Sequence, residues 1–218
     1  QQQGKRIDLE KAAANVQAGD PKLEQGDTVY LTVVDKDRNC CSLIQSNYYG
    51  FGSQLTPQKL GFAIQNRGAL FNLDPDHANA LQPGKRPFHT IIPAFMTRQG
   101  RPVMSFGVMG GDFQPQGHAQ VVINMIDFGL SPQQAGDQPR VSHAGSSSPW
   151  GAKSTSGGKI SFEDGIDDQV KLRLAEMGHR IRPGTSAHGG YQSIWRLDDP
   201  LRYFGGSDPR KDGAAVGY

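Results

Sequence analysis

The residues with the most chemical promise are a threonine, a serine and a pair of glycines. Thr28 follows Gly26-Asp27 and opens an alternating run to Asp35, with Val29, Leu31 and Val33 on one face and Thr28, Tyr30, Thr32 and Val34 on the other. A turn at Lys36-Asp37-Arg38 leads to a second alternating run, Cys40 to Ser46, which returns antiparallel. If Asp35 faces Asn39 at the closed end, counting back in step sets Ser46 opposite Thr28, the side chains about 5 Å apart on one face. A one-residue slip would break the pairing. Such a pair either stabilises a sheet or holds a hydroxyl against a nucleophile, and the spacing allows both. Gly110-Gly111 lies between a strand and a helix, where backbone N–H groups suit an anion or an oxyanion; a glycine pair also makes a plain tight turn.

Other chemistries lack their residues. The six histidines are scattered, with no His-Glu-x-x-His or Cys-x-x-Cys spacing, so no metal site is expected. Gly-x-Ser-x-Gly and the phosphate-binding glycine loops are absent, so neither an α/β-hydrolase nor a nucleotide enzyme is supported, and no cofactor is expected. What remains is a hydroxyl nucleophile without a histidine base. A threonine at a chain start meets that need, because its own α-amino group, with a pKa of about 8, accepts the hydroxyl proton through a water. Thr28 is internal, so a free amine requires cleavage between Asp27 and Thr28. The Thr28 hydroxyl can itself attack the Asp27 carbonyl, giving an ester that water opens.

These residues need a scaffold, and 218 residues suffice for one core. Twenty-eight glycines and fourteen prolines make the chain turn-rich, while 36% hydrophobic and 20% charged residues support globular packing. The formal charge of +2, with no basic run interleaved with aromatics, argues against nucleic acid. Cys40 and Cys41 are neighbours in a strand, point to opposite faces and read as free thiols; they lean the expected location towards the cytoplasm over the periplasm or exterior. No signal peptide or spanning stretch is visible and no membrane association is expected, although a precursor would carry any signal at its own start.

Residues 1–27 read as a polar upstream arm. Tyr48 to Ser53 reads as a glycine-rich turn, and Arg67, in a loop, as a solvated group when taken alone. Ile91–Thr97 and Pro102–Val108 form a hairpin. His118 to Ile126 follows at helical spacing with Gly129 as its stop, and Ser131-Pro132 caps a short helix to Ala135. Residues 145–158 read as loop, Lys159–Phe162 as a strand, and Asp167–Met177 as a helix with Val170, Leu174 and Met177 on one side. Tyr191–Leu197 and Leu201–Phe204 make a last hairpin. Hairpins with helices between them predict an α+β fold of antiparallel sheets covered by helices, with no domain boundary after residue 27.

The run Gly26-Asp27-Thr28 through Val33-Val34-Asp35, then Phe51-Gly52, Pro83-Gly84-Lys85-Arg86-Pro87, Gly110-Gly111, Ile126-Asp127-Phe128-Gly129-Leu130, and Gly206-Ser207-Asp208-Pro209-Arg210 to Gly217-Tyr218, resembles the small subunit of the γ-glutamyltranspeptidase family. The resemblance runs in order from Thr28 to the last residue. It implies an N-terminal-nucleophile hydrolase with an α-β-β-α sandwich, of which this chain supplies one part. Residues 1–27 would be the tail of the large-subunit region and residues 28–218 the small-subunit catalytic domain. It further implies self-cleavage between Asp27 and Thr28, attack by Thr28 on an amide carbonyl, Ser46 as the assisting hydroxyl, and Gly110 and Gly111 as the oxyanion hole. The partners it implies are the large subunit of the same precursor and a small-molecule amide; it also allows a dimer of heterodimers.

The departures concern recognition. Tyr48 stands where members specific for γ-glutamyl groups carry Asn, Arg67 and Leu70 where they carry Gln and Asp, and His89 and Thr90 where they carry two serines. The lost Asp removes the anion that pairs with an α-ammonium, while Arg67 adds a donor fork suited to a carboxylate. This pattern is similar to the cephalosporin acylase and γ-glutamyltranspeptidase-like branch, and a glutaryl-type amide fits it better than glutathione. A non-catalytic or unprocessed subunit, serving assembly or binding, is the alternative from another class. A third reading takes Gly110-Gly111 as an anion-binding module.

Overall fold

The computed structural model describes residues 10–11, 26–145, 157–185 and 188–217. These divide between two compact units, within Leu23–Ala69, Phe88–Gln138 and His188–Tyr218 for the first, and within Gln1–Lys22, Leu70–Pro87 and Pro139–Ala187 for the second.

The first unit opens with β1 (Gly26–Val34) and β2 (Cys40–Tyr49), an antiparallel pair. Asp35 closes its turn. Its carboxylate accepts from the backbone N–H of Asp37 (2.9 Å) and of Asn39 (2.8 Å) and from Asn39 Nδ2 (2.8 Å), while Arg38 takes the left-handed φ of 71° that the turn requires. The hydrogen bonds from Asn39 hold the Asp35 carboxyl below its ordinary pKa. A closure this well specified fixes the register of the whole hairpin.

A four-stranded sheet follows in the order β3 (Ala94–Arg98), β4 (Arg101–Met109), β8 (Gly190–Asp198), β9 (Leu201–Ser207), antiparallel throughout. The alternation of β4 divides its work. Met104, Phe106 and Val108 join Phe113, Val121, Met125, Ala135 and Tyr191 in one core beneath α1 (Gln114–Ile126) and α2 (Pro132–Asp137). Ser105 and Gly107, on the other face, are small enough to admit β1. Thr32 Oγ1 donates to Ser105 Oγ at 2.6 Å, and the Tyr30 ring lies 2.5 Å from where a Cβ on Gly107 would stand.

Ser131 caps α2 in a reciprocal capping box with Gln134, and Pro132 holds the first helical position, as the sequence predicts. The first helix starts at Gln114, four residues before the expected start, because a 3-10 turn at Gly111–Phe113 leads into it with Pro115 in the first turn. The second strand runs on to Tyr49, so Tyr48 and Tyr49 belong to β2 and not to a turn; Tyr48 absorbs the bend with a φ of 79°.

The apolar face of β1 is the open one. Val29, Leu31 and Val33 are 50%, 44% and 46% exposed, with Leu43 of β2 beside them, while Tyr30 on the Thr28 face is buried.

The second unit holds β5 (Val141–Ala144), β6 (Lys159–Phe162) and β7 (Ile181–Thr185), with β6 antiparallel to β5 and parallel to β7, and α3 (Asp168–Glu176) capped by Asp167. Neither β5 nor β7 is legible in the sequence: β5 is four residues long and β7 contains Pro183-Gly184. The third helix forms where expected, but none of its residues is buried, and Val170 is half exposed. The expected loop over 145–158 and the upstream arm lie mostly outside the described residues.

Candidate active site

Thr28 pairs with Ser46 across β1 and β2, both half-buried. The register predicted from Asp35 and Asn39 is therefore the one observed. It shifts immediately upstream: Gly26 faces Tyr49, so two steps on β1 oppose three on β2. This bulge spans the Asp27–Thr28 peptide bond. Bulges of this kind end a ladder and re-aim the residues beside them.

Ser46 Oγ accepts the backbone N–H of Tyr48 at 2.9 Å. That bond uses one lone pair and leaves the hydroxyl proton for a neighbour on the same face, where Thr28 stands. The Tyr48 side chain is 3% exposed, its ring against Tyr49 at 4.5 Å between centroids and facing the Arg67 guanidinium at 5.9 Å. Burial pushes its phenol pKa up, so the ring stays neutral.

Arg67 opens a short 3-10 turn at Arg67–Leu70, and its loop is stapled to the end of β2. The Asn66 backbone N–H donates to Asn47 O, and Asn66 Oδ1 accepts from the Tyr49 N–H, each at 3.1 Å. From that anchor Arg67 Nη1 donates to the Ser46 carbonyl oxygen (2.9 Å) and Nε to Thr90 Oγ1 (2.8 Å), while Nη2 is buried without a partner among the described residues. Burial draws the guanidinium pKa down and the Tyr48 phenol opposes it; guanidinium remains cationic in proteins. Arg67 is thus no solvated surface group. With Nε and one Nη1 proton committed to the protein, the uncommitted donors are the second Nη1 proton and the two on Nη2.

Gly110 and Gly111 carry the chain from β4 to the helical turn with φ of 141° and 60°, a pair of positive values that glycine tolerates. A Cβ on Gly110 would also stand 2.7 Å from Gly189 Cα. Gln114 binds this turn: its Nε2 donates to Gly111 O at 3.1 Å and to Thr90 O at 2.7 Å. Ser46, Arg67, Thr90, Gln114 and Gly111 therefore form one hydrogen-bonded chain.

His89 stands apart from it. Its ring is exposed, stacks on Phe88 and has Nδ1 3.2 Å from Ile91 O. Gln114 is not legible in the sequence because both its partners come from tertiary folding; its one local signal is its place three residues beyond Gly111, at the start of a helix. Among the described residues no group of three His, Cys, Asp or Glu could hold a metal, and no helix is long and apolar enough to cross a membrane.

A hairpin laid over a second antiparallel sheet with helices beyond it, shared with the similar solved structures, is the fold of the N-terminal-nucleophile hydrolase class. Cephalosporin acylase from Bacillus halodurans is 43% identical with a TM-score of 0.74, over 87% of this chain and 34% of that one. γ-Glutamyltranspeptidase from Pseudomonas nitroreducens, at 24% identity and a TM-score of 0.72, shares the fold over 87% of this chain and 98% of that one. The family described as gamma-glutamyltranspeptidase matches residues 1–218, and the chain belongs to that family. Among curated relatives, the glutathione hydrolase-like YwrD proenzyme of Bacillus subtilis is 37% identical over 88% of this chain, and the oxamate amidohydrolase proenzyme of Klebsiella pneumoniae 39% identical over 88%. The chain spans 36% of the length of each.

Proposed function

We propose that this chain carries the catalytic residues of a self-processing amidohydrolase or acyltransferase, with Thr28 as nucleophile. The observation that carries the reading is the Thr28–Ser46 pairing beside a bulge at the bond to be cut. In processing, Thr28 Oγ adds to the Asp27 carbonyl carbon. The C–N bond breaks, the nitrogen takes the hydroxyl proton and becomes the α-amine of Thr28, and water opens the resulting ester to leave the Asp27 carboxylate and a free hydroxyl. In turnover, that amine accepts the Thr28 hydroxyl proton through a water as Oγ attacks the substrate amide, then passes it to the departing amine. Ser46 donates its hydroxyl proton in a hydrogen bond to Thr28 Oγ, and the Gly110 and Gly111 amides receive the oxyanion. Water or an amine then takes the acyl group.

The substrate class follows from Arg67. Its Nη2 is suited to a terminal carboxylate, and the chain has Leu70 where γ-glutamyl-specific members carry an Asp. Amides with a carboxylate and no ammonium, glutaryl amides among them, fit best. The relative named as an oxamate amidohydrolase supports this, since oxamate is an amide with a carboxylate and no amine. The exposed Val29, Leu31, Val33 and Leu43 face suits a covering layer from the large subunit of the same precursor. Assays of the full-length precursor on glutaryl-anilide and γ-glutamyl-anilide test the substrate reading: faster release from glutaryl-anilide is expected, and a clear γ-glutamyl preference contradicts it.

A further inference from the structure

Gln114 opens α1 with only 1% of its surface exposed. Its Nε2 donates to both Gly111 O and Thr90 O, so both amide protons are used. The orientation is thereby fixed, because turning the amide over would set Oε1 against two carbonyl oxygens. Oε1 itself is buried without a partner among the described residues. A bare buried acceptor is unfavourable, and a methionine of similar shape would avoid it. The bare Oε1 offsets part of what the two Nε2 hydrogen bonds contribute to stability. What the glutamine adds is a hold on two backbone carbonyls.

One of those carbonyls belongs to a glycine turn that has wide conformational freedom of its own and needs restraint from outside. The other belongs to Thr90, whose hydroxyl accepts from Arg67 Nε. We propose that Gln114 is a positioning residue that holds the Gly110–Gly111 turn in its oxyanion-receiving conformation and in fixed relation to Arg67. The proposal rests on the reading of Gly110 and Gly111 as the oxyanion site.

The test compares wild type, Gln114→Met and Gly111→Ala in the processed full-length protein. Each is measured for turnover of glutaryl-anilide, for binding of a boronic acid with a terminal carboxylate, whose boron becomes a tetrahedral anion on Thr28 Oγ, and for binding of glutarate as a ground-state ligand. For Gln114→Met, kcat falls about 100-fold with KM nearly unchanged, as misplacement of a catalytic group predicts. Boronate affinity falls in parallel, glutarate affinity holds, and the thermal midpoint changes little, because removal of the bare Oε1 offsets the two lost hydrogen bonds. Unchanged kcat and boronate affinity in Gln114→Met, with Gly111→Ala impaired in both, would overturn the proposal alone. Boronate affinity intact in Gly111→Ala would show that the turn is not the oxyanion site, and both readings would fall. A lowered midpoint with activity lost in proportion would make Gln114 a packing residue and also overturn the proposal.

Discussion

Arg67 donates from Nη1 to the backbone carbonyl of Ser46 at 2.9 Å, so the cation proposed to hold the substrate's carboxylate also pins the strand end facing Thr28. On the proposed reading recognition and catalysis share one side chain, and Arg67→Lys, which cannot reproduce the fork, is expected to weaken both. Losing a charge-assisted hydrogen bond of about 1.5–3 kcal/mol lowers kcat/KM for a carboxylate-bearing amide by about 10- to 150-fold. Steady-state kinetics on an amide without a carboxylate separate the two roles. There kcat still falls, through the loosened Ser46; an unchanged kcat would leave Arg67 a recognition residue only.

The approach of β1 to the central sheet depends on the missing side chain at Gly107. A Cβ there would stand 2.5 Å from the Tyr30 ring, so Gly107→Ala is expected to cost about 1–3 kcal/mol through overpacking. Tyr30→Phe, which loses the hydroxyl and its 2.7 Å hydrogen bond with Ser42, is expected to cost about 1 kcal/mol. Denaturant unfolding ranks the two.

The Gly206 to Arg210 segment reads in the sequence as part of the family resemblance, and in the structure it ties the end of β9 to β8 and α2. Asp208, 1% exposed, accepts the Tyr191 N–H at 2.8 Å and pairs with Arg210, whose Nη1 and Nη2 also donate to Gly136 O and Gln138 O. Asp208→Ala takes the charge partner from a largely buried Arg210 and the acceptor from the Tyr191 N–H, and is expected to lower stability by about 3–5 kcal/mol. Thermal and denaturant unfolding check it.

His118 faces Gln114 O with Nδ1 at 2.6 Å and stacks obliquely on Phe106, and burial lowers its pKa from the ordinary 6.5. The folded imidazole thus protonates at lower pH than the unfolded one. Above about pH 6.5 both states are neutral and His118 contributes no pH dependence. As pH falls below that value the unfolded chain binds the proton first and stability declines, down to the folded pKa. Stability measured against pH is expected to lose this part of its acid slope in His118→Gln; an unchanged slope would contradict the assignment.

How far these features are legible in the sequence depends on whether their causes are local. The Thr28–Ser46 register was readable because Asp35 and Asn39 close the turn between adjacent strands, and counting from a fixed end needs no tertiary knowledge. The α2 cap was readable for the same reason. Arg67 alone looked like a surface residue, since the Asn66 staple and the Ser46 carbonyl reach it only after folding. Gln114 was hidden likewise. The period-two pattern of β1 gave the correct faces but not their burial: the Val29-Leu31-Val33 face is open, and Tyr30 sits under the sheet because Gly107 makes room for it.

The central claim is that Thr28 cuts the bond before it, and intact mass of the purified full-length precursor, followed through incubation, tests it most directly. Wild type is expected to give two fragments, one of them beginning at Thr28, and Thr28→Ala an uncut chain. A wild-type precursor that stays whole, or a Thr28→Ala precursor cut at the same bond, would contradict it.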